Sequence, residues 1–299
     1  LTGQMGEKGI IRMLGKKIGE GGNSEVFEWG TNQVIKLAKP NTNEAELQHE
    51  LSNALVVWEK GLPVPKPYEV VYVDHRPGLI FEKVVGESPK DRLFKQMIER
   101  DRFTLDESDI KASARILSEI HSLTIEGLSL QRDFLRRQIM NPDLLSDVEK
   151  VSVLEIMDNI PIKNQLCHGD PNPNNIIVSN GRHIVIDWND ATIGNPEADL
   201  AEYILTIRHA ILPPETPTRI INQFDLIREE IIQTFLEEYT SLTGMTEEDI
   251  RPWLVIIGAR KLAADAISNE EKLVLLGRIK RELKSGADTS LLNIKNLGR

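Results

Sequence analysis

Three oxygen-bearing side chains in one stretch of the sequence have the types and spacing of a site for a hard cation. Asp170 and Asn175 lie five positions apart, and Asp187 follows, in a stretch that reads LCHGDPNPNNIIVSNGRHIVIDWND. Two carboxylates and an amide oxygen, with no cluster of cysteine or histidine, suit magnesium, which prefers oxygen ligands and binds phosphate oxygens. The stretch therefore predicts a magnesium site.

A β-hairpin would bring these three side chains together. Ile176 to Val178 and Ile184 to Ile186 are β-branched runs on either side of Asn180-Gly181. That dipeptide readily adopts the two positive φ angles of a tight hairpin turn. Because the second strand then runs back along the first, Asp187 should return to the loop that holds the other two oxygen donors.

The same stretch resembles a known family. His168-Gly169-Asp170, followed by Asn175 and then by Ile186-Asp187-Trp188, is similar to the catalytic loop and metal-binding segment of the aminoglycoside phosphotransferase family. Members of that family are small-molecule relatives of protein kinases. The resemblance implies that Asp170 positions the acceptor hydroxyl and takes its proton, while Asn175 and Asp187 hold Mg²⁺.

Composition is that of an ordinary globular protein. The 299 residues allow one large domain or two lobes with a sizeable core. A formal net charge of -10 disfavours a nucleic-acid partner and would attract a cationic substrate. Cys167 is the single cysteine, so the chain has no intrachain disulfide and fits a reducing compartment. Without a leader-like start or an apolar run of membrane-spanning length, we expect a cytoplasmic protein with no membrane partner.

A glycine-rich stretch near the start predicts a phosphate-binding loop. Residues Ile18 to Ala38 read as three strands, joined by a glycine turn and by a tight turn at Gly30-Thr31-Asn32. Glycines lack Cβ, so their N–H groups can approach a polyphosphate closely. The pattern resembles the kinase glycine-rich loop, with a serine in place of the third glycine, followed by the lysine that binds the α and β phosphates. The residues assigned to the nucleotide here are Gly19, Gly21, Gly22, Ser24 and Lys36.

A helix should follow this sheet and supply a partner for Lys36. Asn43 and Glu46 have the spacing of a capping box, and Gly61 ends the helical pattern. Glu46 and Glu50 lie one turn apart, so either could pair with Lys36. The spacing of Glu50 to the following GLPVP segment resembles that of the family's paired glutamate, and this favours Glu50.

Two further strands lead out of the predicted sheet. Val70 to Val73 and Leu79 to Val85 flank a turn-forming segment, Asp74 to Gly78. By resemblance, the second strand runs into the segment that joins the two lobes and faces the purine of the nucleotide. The resemblance assigns Phe81 to the back of the pocket, the Glu82 carbonyl and the Val84 N–H to the purine edge, and Gly86 to the segment's end.

The remainder of the chain is mainly helical in pattern and lacks a platform for a peptide. Asp187 is followed almost at once by Gly194-Asn195-Pro196-Glu197-Ala198-Asp199, which leaves no room for a protein-kinase activation segment. Gly169 stands where many protein kinases have an arginine for a phosphorylated activation loop. Both departures indicate a small acceptor. By resemblance, Asp199 braces the catalytic loop. His121 resembles the histidine of the family's Leu-His-x-Leu element, and we interpret it as a structural residue. Helices are expected at Leu144 to Ile160, Ala201 to Ile211, Phe224 to Leu242, Glu247 to Asp265 and Glu270 to Lys284.

We therefore predict an α+β, bilobal protein-kinase-like fold. Residues 1–86 would form a small antiparallel-sheet lobe that binds ATP, with GTP as an alternative donor, and residues 87–299 a mainly helical lobe that binds the acceptor. The predicted reaction transfers the γ-phosphoryl group to a hydroxyl of a small molecule. The net charge favours a cationic acceptor, as do four acidic residues, Glu229, Glu230, Glu237 and Glu238, on one predicted helix.

Several alternatives stay open at this point. The acceptor could be an aminoglycoside, a macrolide, a choline-like alcohol or a sugar derivative. A pseudokinase that binds nucleotide without turnover and a protein kinase are competing classes. The first is disfavoured because Lys36, Asp170, Asn175 and Asp187 are all present, and the second because the activation segment is missing. The sequence does not determine the oligomeric state.

Overall fold

The protein divides into two compact units. The computed structural model describes residues 4–5, 11–12, 14–99, 104–141, 143–264 and 267–295, of which residues 4–5, 11–12 and 285–295 are described by their backbone alone. One unit comprises Leu1–Arg100 and His168–Ala191, and the other comprises Asp101–Cys167 and Thr192–Arg299. This division differs from the predicted lobes 1–86 and 87–299, because residues His168–Ala191 group with the sheet-containing unit. The lobe boundary itself stays a prediction.

An antiparallel sheet forms the body of the first unit. Its five strands lie in the order β3-β4-β5-β7-β6, and a separate pair, β1 and β2, is also antiparallel. The three strands and two turns expected from Ile18 to Ala38 are confirmed. The strands are β1 (Gln4–Met5), β2 (Ile11–Arg12), β3 (Leu14–Glu20), β4 (Ser24–Trp29), β5 (Gln33–Ala38), β6 (Pro67–Val73) and β7 (Arg76–Glu82).

Residue alternation along β5 separates the two faces of this sheet. Ile35 and Leu37 point to a buried cluster on one face, whereas Ala38 packs with Leu47 of a helix on the other. Because side chains alternate along a strand, Lys36 lies on the helix-covered face. The helix is α1 (Glu44–Glu59), and it has the predicted capping box between Asn43 and Glu46.

The turn between β6 and β7 is shorter than the sequence suggested. Only Asp74 and His75 form it, with φ angles of 48° and 67°, and Pro77 and Gly78 lie within β7. Gly78 fits there because a Cβ at that position would lie 2.7 Å from the Ile35 side chain. The sequence signal was misleading because proline and glycine, which usually mark turns, here occupy a strand.

The predicted hairpin around Asn180-Gly181 is confirmed. A 3-10 turn, Pro173–Asn175, leads into β10 (Ile176–Ser179), which pairs antiparallel with β11 (Arg182–Val185). Asn180 and Gly181 have φ angles of 50° and 76°. Backbone hydrogen bonds join Val185 N–H to the Pro63 carbonyl and Val178 N–H to the Glu87 carbonyl, which explains why the hairpin belongs to the first unit, with α2 (Pro89–Glu99).

The second unit is mainly helical. Three short strands also pair in the order β8-β12-β9, a sheet that the sequence did not predict. In the described part of the chain, no helix is both long enough and apolar enough to cross a membrane. The strands are β8 (Ser129–Leu130), β9 (Gln165–Cys167) and β12 (Thr192–Gly194). The helices are α3 (Ser108–His121), α4 (Gln131–Met140), α5 (Asp147–Asp158), α6 (Glu197–His209), α7 (Thr218–Thr243), α8 (Glu247–Lys261) and α9 (Asn269–Lys295).

Candidate active site

Lys36 lies at the centre of a charge cluster in the first unit. Its ammonium nitrogen is 2.8 Å from a carboxylate oxygen of Glu50 and 2.9 Å from Oδ1 of Asp187. The Glu50 side chain is 4% exposed and that of Asp187 is 40% exposed. The cluster therefore joins β5, α1 and the segment after β11, and it leaves the Asp187 carboxylate accessible.

Helix capping explains which glutamate Lys36 contacts. Glu46 accepts a hydrogen bond from the Asn43 backbone N–H at 2.7 Å and donates its own N–H to the Asn43 side chain. Glu50, one turn further on, is buried against the sheet. Glu46 thus closes the start of α1, and the structure brings Glu50 to Lys36.

Burial and charge act in opposite directions on this cluster. Burial disfavours the charged Lys36 side chain, but Asp187 and Glu50 outweigh it and raise the pKa of Lys36 above its usual value. Burial likewise opposes ionisation of Asp187, yet Lys36 lowers the pKa of this carboxyl. Lys36 and Asp187 are therefore charged at neutral pH. Asp187 also has a φ of +64°, which is uncommon outside glycine and is found at functional sites.

The hairpin brings Asn175 and Asp170 into direct contact. The Asn175 amide donates to the Asp170 backbone carbonyl and to Asp170 Oδ2, both at 2.9 Å. The Ile186 N–H donates to the Asn175 carbonyl at 2.9 Å, so the residue before Asp187 is fixed to the same loop. Because both hydrogens of the Asn175 amide are used on Asp170, its side-chain oxygen is the atom that can bind a cation.

His168 and Gly169 shape the loop from the other side. The Asp170 N–H donates to His168 Nδ1 at 3.2 Å, so the hydrogen on Nε2 is the one donated to the Ile186 carbonyl at 3.0 Å. Gly169 has a φ of +84°, and a Cβ there would lie 2.2 Å from the Asp190 carbonyl oxygen. Glycine at position 169 therefore has a steric reason. This adds to the sequence observation that Gly169 stands where many protein kinases have an arginine.

Asn53 is a site residue that sequence reasoning missed. Its side chain is buried, and its amide donates to the Trp188 and Asn189 carbonyls at 3.1 Å each. It lies one turn after Glu50 on the same helix. Thus α1 contacts the segment around Asp187 directly through Asn53 and indirectly, by way of Lys36, through Glu50. Helical spacing places Asn53 beside Glu50, but nothing in the sequence indicates which backbone it contacts.

The glycine loop is held by Lys39, which follows β5, and by Ser24, at the start of β4. The Lys39 ammonium donates to the Gly21 carbonyl at 2.7 Å, and the Gly21 N–H donates to the Ser24 carbonyl at 2.9 Å. A Cβ at Gly21 would meet no atom within 4 Å, and one at Gly19 only Val26 at 3.6 Å. Open space beside these glycines is compatible with a bound phosphate. The Ser24 side chain is buried, so its contribution to a ligand would come from the backbone.

The end of β7 and the segment after it are anchored through the backbone. The Glu82 N–H donates to the Lys66 carbonyl at 2.8 Å, and the Lys83 N–H donates to the Asn32 carbonyl at 2.9 Å. Phe81 packs against the cluster formed by Ala38, Leu47 and Leu79. A Cβ at Gly86 would lie 2.3 Å from the Val178 carbonyl oxygen, so glycine is required there. The purine contacts assigned to Glu82 and Val84 stay predictions.

In the second unit, His121 and Asp199 form a buried polar pair. His121 Nε2 lies 3.1 Å from Asp199 Oδ2, and His121 Nδ1 lies 2.7 Å from the Tyr239 hydroxyl. Burial, together with Asp199 and Glu197, raises the pKa of the Cys167 thiol well above its usual value. Cys167 is thus a buried, protonated packing residue.

Two of the four glutamates expected near an acceptor already have cationic partners. Glu229 binds Arg208 through both of its oxygens, at 2.7 and 2.6 Å. Glu238 contacts Arg115 at 2.6 Å. Glu237 accepts a hydrogen bond from Gln233 at 2.7 Å. These ion pairs reduce the negative charge that the helix offers to a ligand.

The model of the phosphotransferase enzyme family (APH) matches residues 15–229. Acyl-CoA dehydrogenase family member 11 of Homo sapiens is 27% identical over a match that covers 56% of this chain. The chain spans only 23% of the length of that protein.

Solved structures share the fold. Aminoglycoside phosphotransferase APH(4)-Ia, in a ternary complex with AMP-PNP and hygromycin B, has a TM-score of 0.61 at 18% identity, covering 93% of this chain and 95% of its own. Amicoumacin kinase hAmiN, in complex with AMP-PNP and Ca²⁺, has a TM-score of 0.56 at 14% identity, covering 91% and 88%. At this identity the likeness concerns the fold alone, and it confirms the predicted α+β, kinase-like fold class.

Proposed function

The chain belongs to the phosphotransferase enzyme family, and from this membership we propose that it transfers the γ-phosphoryl group of MgATP to a hydroxyl group of a small molecule. The predicted family is thereby confirmed, and the activity on a small molecule is part of the proposal. The donor, the metal and the role of each residue are the proposal. The observation that carries it is the convergence of Glu50 and Asp187 on Lys36 at 2.8 and 2.9 Å, with Asp170 and Asn175 in contact in the adjoining loop.

The proposed reaction balances as a displacement at phosphorus. The acceptor oxygen forms a bond to the γ-phosphorus while the bond to the β–γ bridging oxygen breaks, and ADP leaves. The proton of the acceptor hydroxyl passes to the Asp170 carboxylate. Because charge in the transition state lies on phosphoryl oxygens, positioning and charge neutralisation dominate such catalysis. Lys36 supplies a cation that Glu50 holds in place.

The oxygen donors fit a magnesium ion. The Asn175 amide uses its hydrogens on Asp170, which leaves a neutral oxygen, and Asp187 keeps one oxygen beyond its contact with Lys36. Oxygen-only donor sets of this kind suit Mg²⁺. We assign Asn175 and Asp187 as its ligands. When bound, the ion would neutralise negative charge on the phosphate oxygens.

The nucleotide contacts are proposed on the same basis. The glycine loop, with Gly19, Gly21, Gly22 and Ser24, would cover the phosphates through its backbone N–H groups. The carbonyl of Glu82 and the N–H of Val84 would contact the purine. Similar solved proteins carry AMP-PNP or ADP, which supports a nucleotide donor here. We propose ATP as the phosphoryl donor, and GTP is the alternative donor with which it is compared.

We propose that the acceptor is a hydroxylated compound with positive charge. The support is the formal charge of -10 and the aminoglycoside ligands named for similar structures. Since Glu229 and Glu238 already pair with arginines, overall charge rather than these two side chains would provide the attraction. Screening is stronger at high salt, so the KM of a cationic acceptor should rise with ionic strength more than that of a neutral one.

An acceptor panel tests this function. ADP release is measured with MgATP or MgGTP and with aminoglycosides, macrolides, choline-like alcohols and sugar derivatives, each phosphorylated product being identified by mass spectrometry. We expect one class to stimulate ADP release in proportion to product formed. Nucleotide binding without any acceptor-dependent product would favour the pseudokinase alternative, and phosphorylation of a generic protein would favour a protein kinase.

A further inference from the structure

We propose that Asn172 is a positioning residue that sets the plane of the Asp170 carboxylate. The Asn172 amide nitrogen lies 2.9 Å from Oδ1 and 2.9 Å from Oδ2 of Asp170. Asn172 belongs to none of the motif positions through which the chain resembles its family. The inference rests on the proposed function, since the importance of the carboxylate derives from its role as the acceptor base.

The orientation of the Asn172 amide is determined by a second contact. Its side-chain oxygen accepts a hydrogen bond from the Asn174 backbone N–H at 2.8 Å. A backbone N–H can only donate, so the atom it contacts is the oxygen and the atom that faces Asp170 is the NH₂ group. Asn172 therefore donates to the carboxylate while it caps the 3-10 turn.

The proline that follows Asn172 restricts its backbone. The sequence reads Asp170-Pro171-Asn172-Pro173, and the residue before a proline is restricted to extended conformations. Asn172 has φ -78° and ψ 156°, within that region. Pro173 starts the 3-10 turn, where its missing N–H is not needed. Local sequence thus restricts the backbone from which the Asn172 side chain reaches Asp170 and Asn174.

Asn175 restrains the carboxylate less than Asn172 does. It reaches the Asp170 backbone carbonyl and one carboxylate oxygen, Oδ2. Rotation of a carboxylate about its last side-chain torsion is weakly restricted, and a donor to one oxygen restrains its plane less than a donor that approaches both. The amide of Asn172 approaches both oxygens. We therefore expect Asn172 to affect the orientation of the base toward the acceptor and not the affinity for nucleotide.

The variant Asn172→Ser separates this role from that of capping the turn. It provides a hydroxyl, which commonly accepts a backbone N–H at a helix start, but it lacks the amide donor to Asp170. With the best acceptor of the panel, kcat should fall ~10–100-fold, as expected when a reacting group is misplaced. The KM of the acceptor and the affinity for MgATP, measured by calorimetry, should remain those of the wild type. Asn174→Ala, which keeps the backbone N–H that Asn172 contacts, is the matched control and should retain wild-type kcat.

Crystal structures of the wild type and of Asn172→Ser provide a readout that needs no acceptor. We expect the Asp170 carboxylate to rotate or to occupy more than one orientation in the variant. A carboxylate that stays in place, or an unchanged kcat, would overturn the inference. If the wild type phosphorylates nothing while the carboxylate still moves in the variant, Asn172 keeps its positioning role and the proposed function is wrong.

Discussion

The Lys36 ammonium lies 2.9 Å from Asp187 Oδ1, although 151 positions separate the two residues. Lys36 lies on the helix-covered face of the sheet because side chains alternate along β5. Asp187 reaches it because β11 runs back along β10 and the Ile186 N–H binds the Asn175 carbonyl. A strand pattern and a hairpin turn thus assemble the proposed phosphate end of the site.

Loss of Lys36 or Asp187 should weaken MgATP binding. Lys36→Ala removes the cation near the phosphates, and Asp187→Ala removes a proposed metal ligand. Since even outer partners of metal ligands contribute ~10–100-fold to metal affinity, we expect Asp187→Ala to lose at least ~10-fold of the magnesium-dependent affinity. Calorimetry with ATP, with and without Mg²⁺, measures this. Lys95→Ala, which breaks an exposed ion pair with Glu87, is the control and should bind normally. If the affinity of Asp187→Ala for ATP depends on Mg²⁺ as it does in the wild type, Asp187 is not a metal ligand.

Asn53 should matter for stability. Asn53→Asp replaces a buried amide donor by a carboxylate that faces the Trp188 and Asn189 carbonyls. We expect the free energy of unfolding to fall by at least the ~1–3 kcal/mol that an unmade buried hydrogen bond costs. Urea denaturation measures it. Ser52→Ala, at an exposed position of the same helix, should change it little. Equal stability of the two variants would show that the contacts of Asn53 contribute nothing.

Gly169 should tolerate alanine less well than Gly30. Both have positive φ angles, +84° and +69°, so alanine should cost ~1–2 kcal/mol at either position through the backbone alone. Only at Gly169 would the added Cβ also clash, with the Asp190 carbonyl oxygen at 2.2 Å. We therefore expect Gly169→Ala to unfold at lower urea concentration than Gly30→Ala and to lose turnover. Equal unfolding midpoints would contradict the steric argument.

His209 should make the protein less stable in acid. Burial, together with nearby cations such as Arg278 and Arg208, lowers the pKa of His209 to about 4, and its Nε2 has no hydrogen-bond partner among the described residues. The unfolded chain takes up the proton near pH 6.5 and the folded chain only near the lower pKa. The contribution of neutral His209 to the free energy of unfolding is therefore fully present above pH 6.5, and it is lost as the pH falls from 6.5 towards 4. After allowance for partial solvation, the loss should be ~1–2 kcal/mol.

Unfolding of His209→Gln tests this pH dependence. The variant keeps a polar side chain but cannot titrate, so its free energy of unfolding should fall less steeply between pH 6.5 and 4 than that of the wild type. Urea denaturation at several pH values gives both slopes. Parallel slopes would mean that His209 has the same pKa in the folded and unfolded chain.

Local features of this protein could be predicted from sequence. The capping box of Asn43 and Glu46 and the Asn180-Gly181 turn depend on neighbouring residues, so their patterns were sufficient. The boundaries of α7 and α9 extended beyond the prediction, since helical periodicity does not show where a helix stops. Short strands such as Thr192–Gly194 carry too few residues for a recognisable alternation, so the three-stranded sheet was missed.

Tertiary contacts could not be predicted in the same way. Helical spacing left Glu46 and Glu50 equally able to meet Lys36, and only the resemblance to a family separated them. Asn53 and Asn172 were missed because their roles consist of hydrogen bonds to particular atoms, which residue type does not specify. The steric requirement at Gly169 depends on where the Asp190 backbone passes, and that is a property of the folded chain.

The most direct test of the account is the turnover of Asp170→Asn with the best acceptor of the panel. Phosphorylated acceptor is quantified by mass spectrometry alongside ADP, and MgATP affinity is measured by calorimetry on the same samples. The variant keeps the size of the side chain but loses a base, so turnover should fall by at least ~100-fold while MgATP affinity is retained. Near-wild-type formation of the phosphorylated product by Asp170→Asn would contradict the central claim.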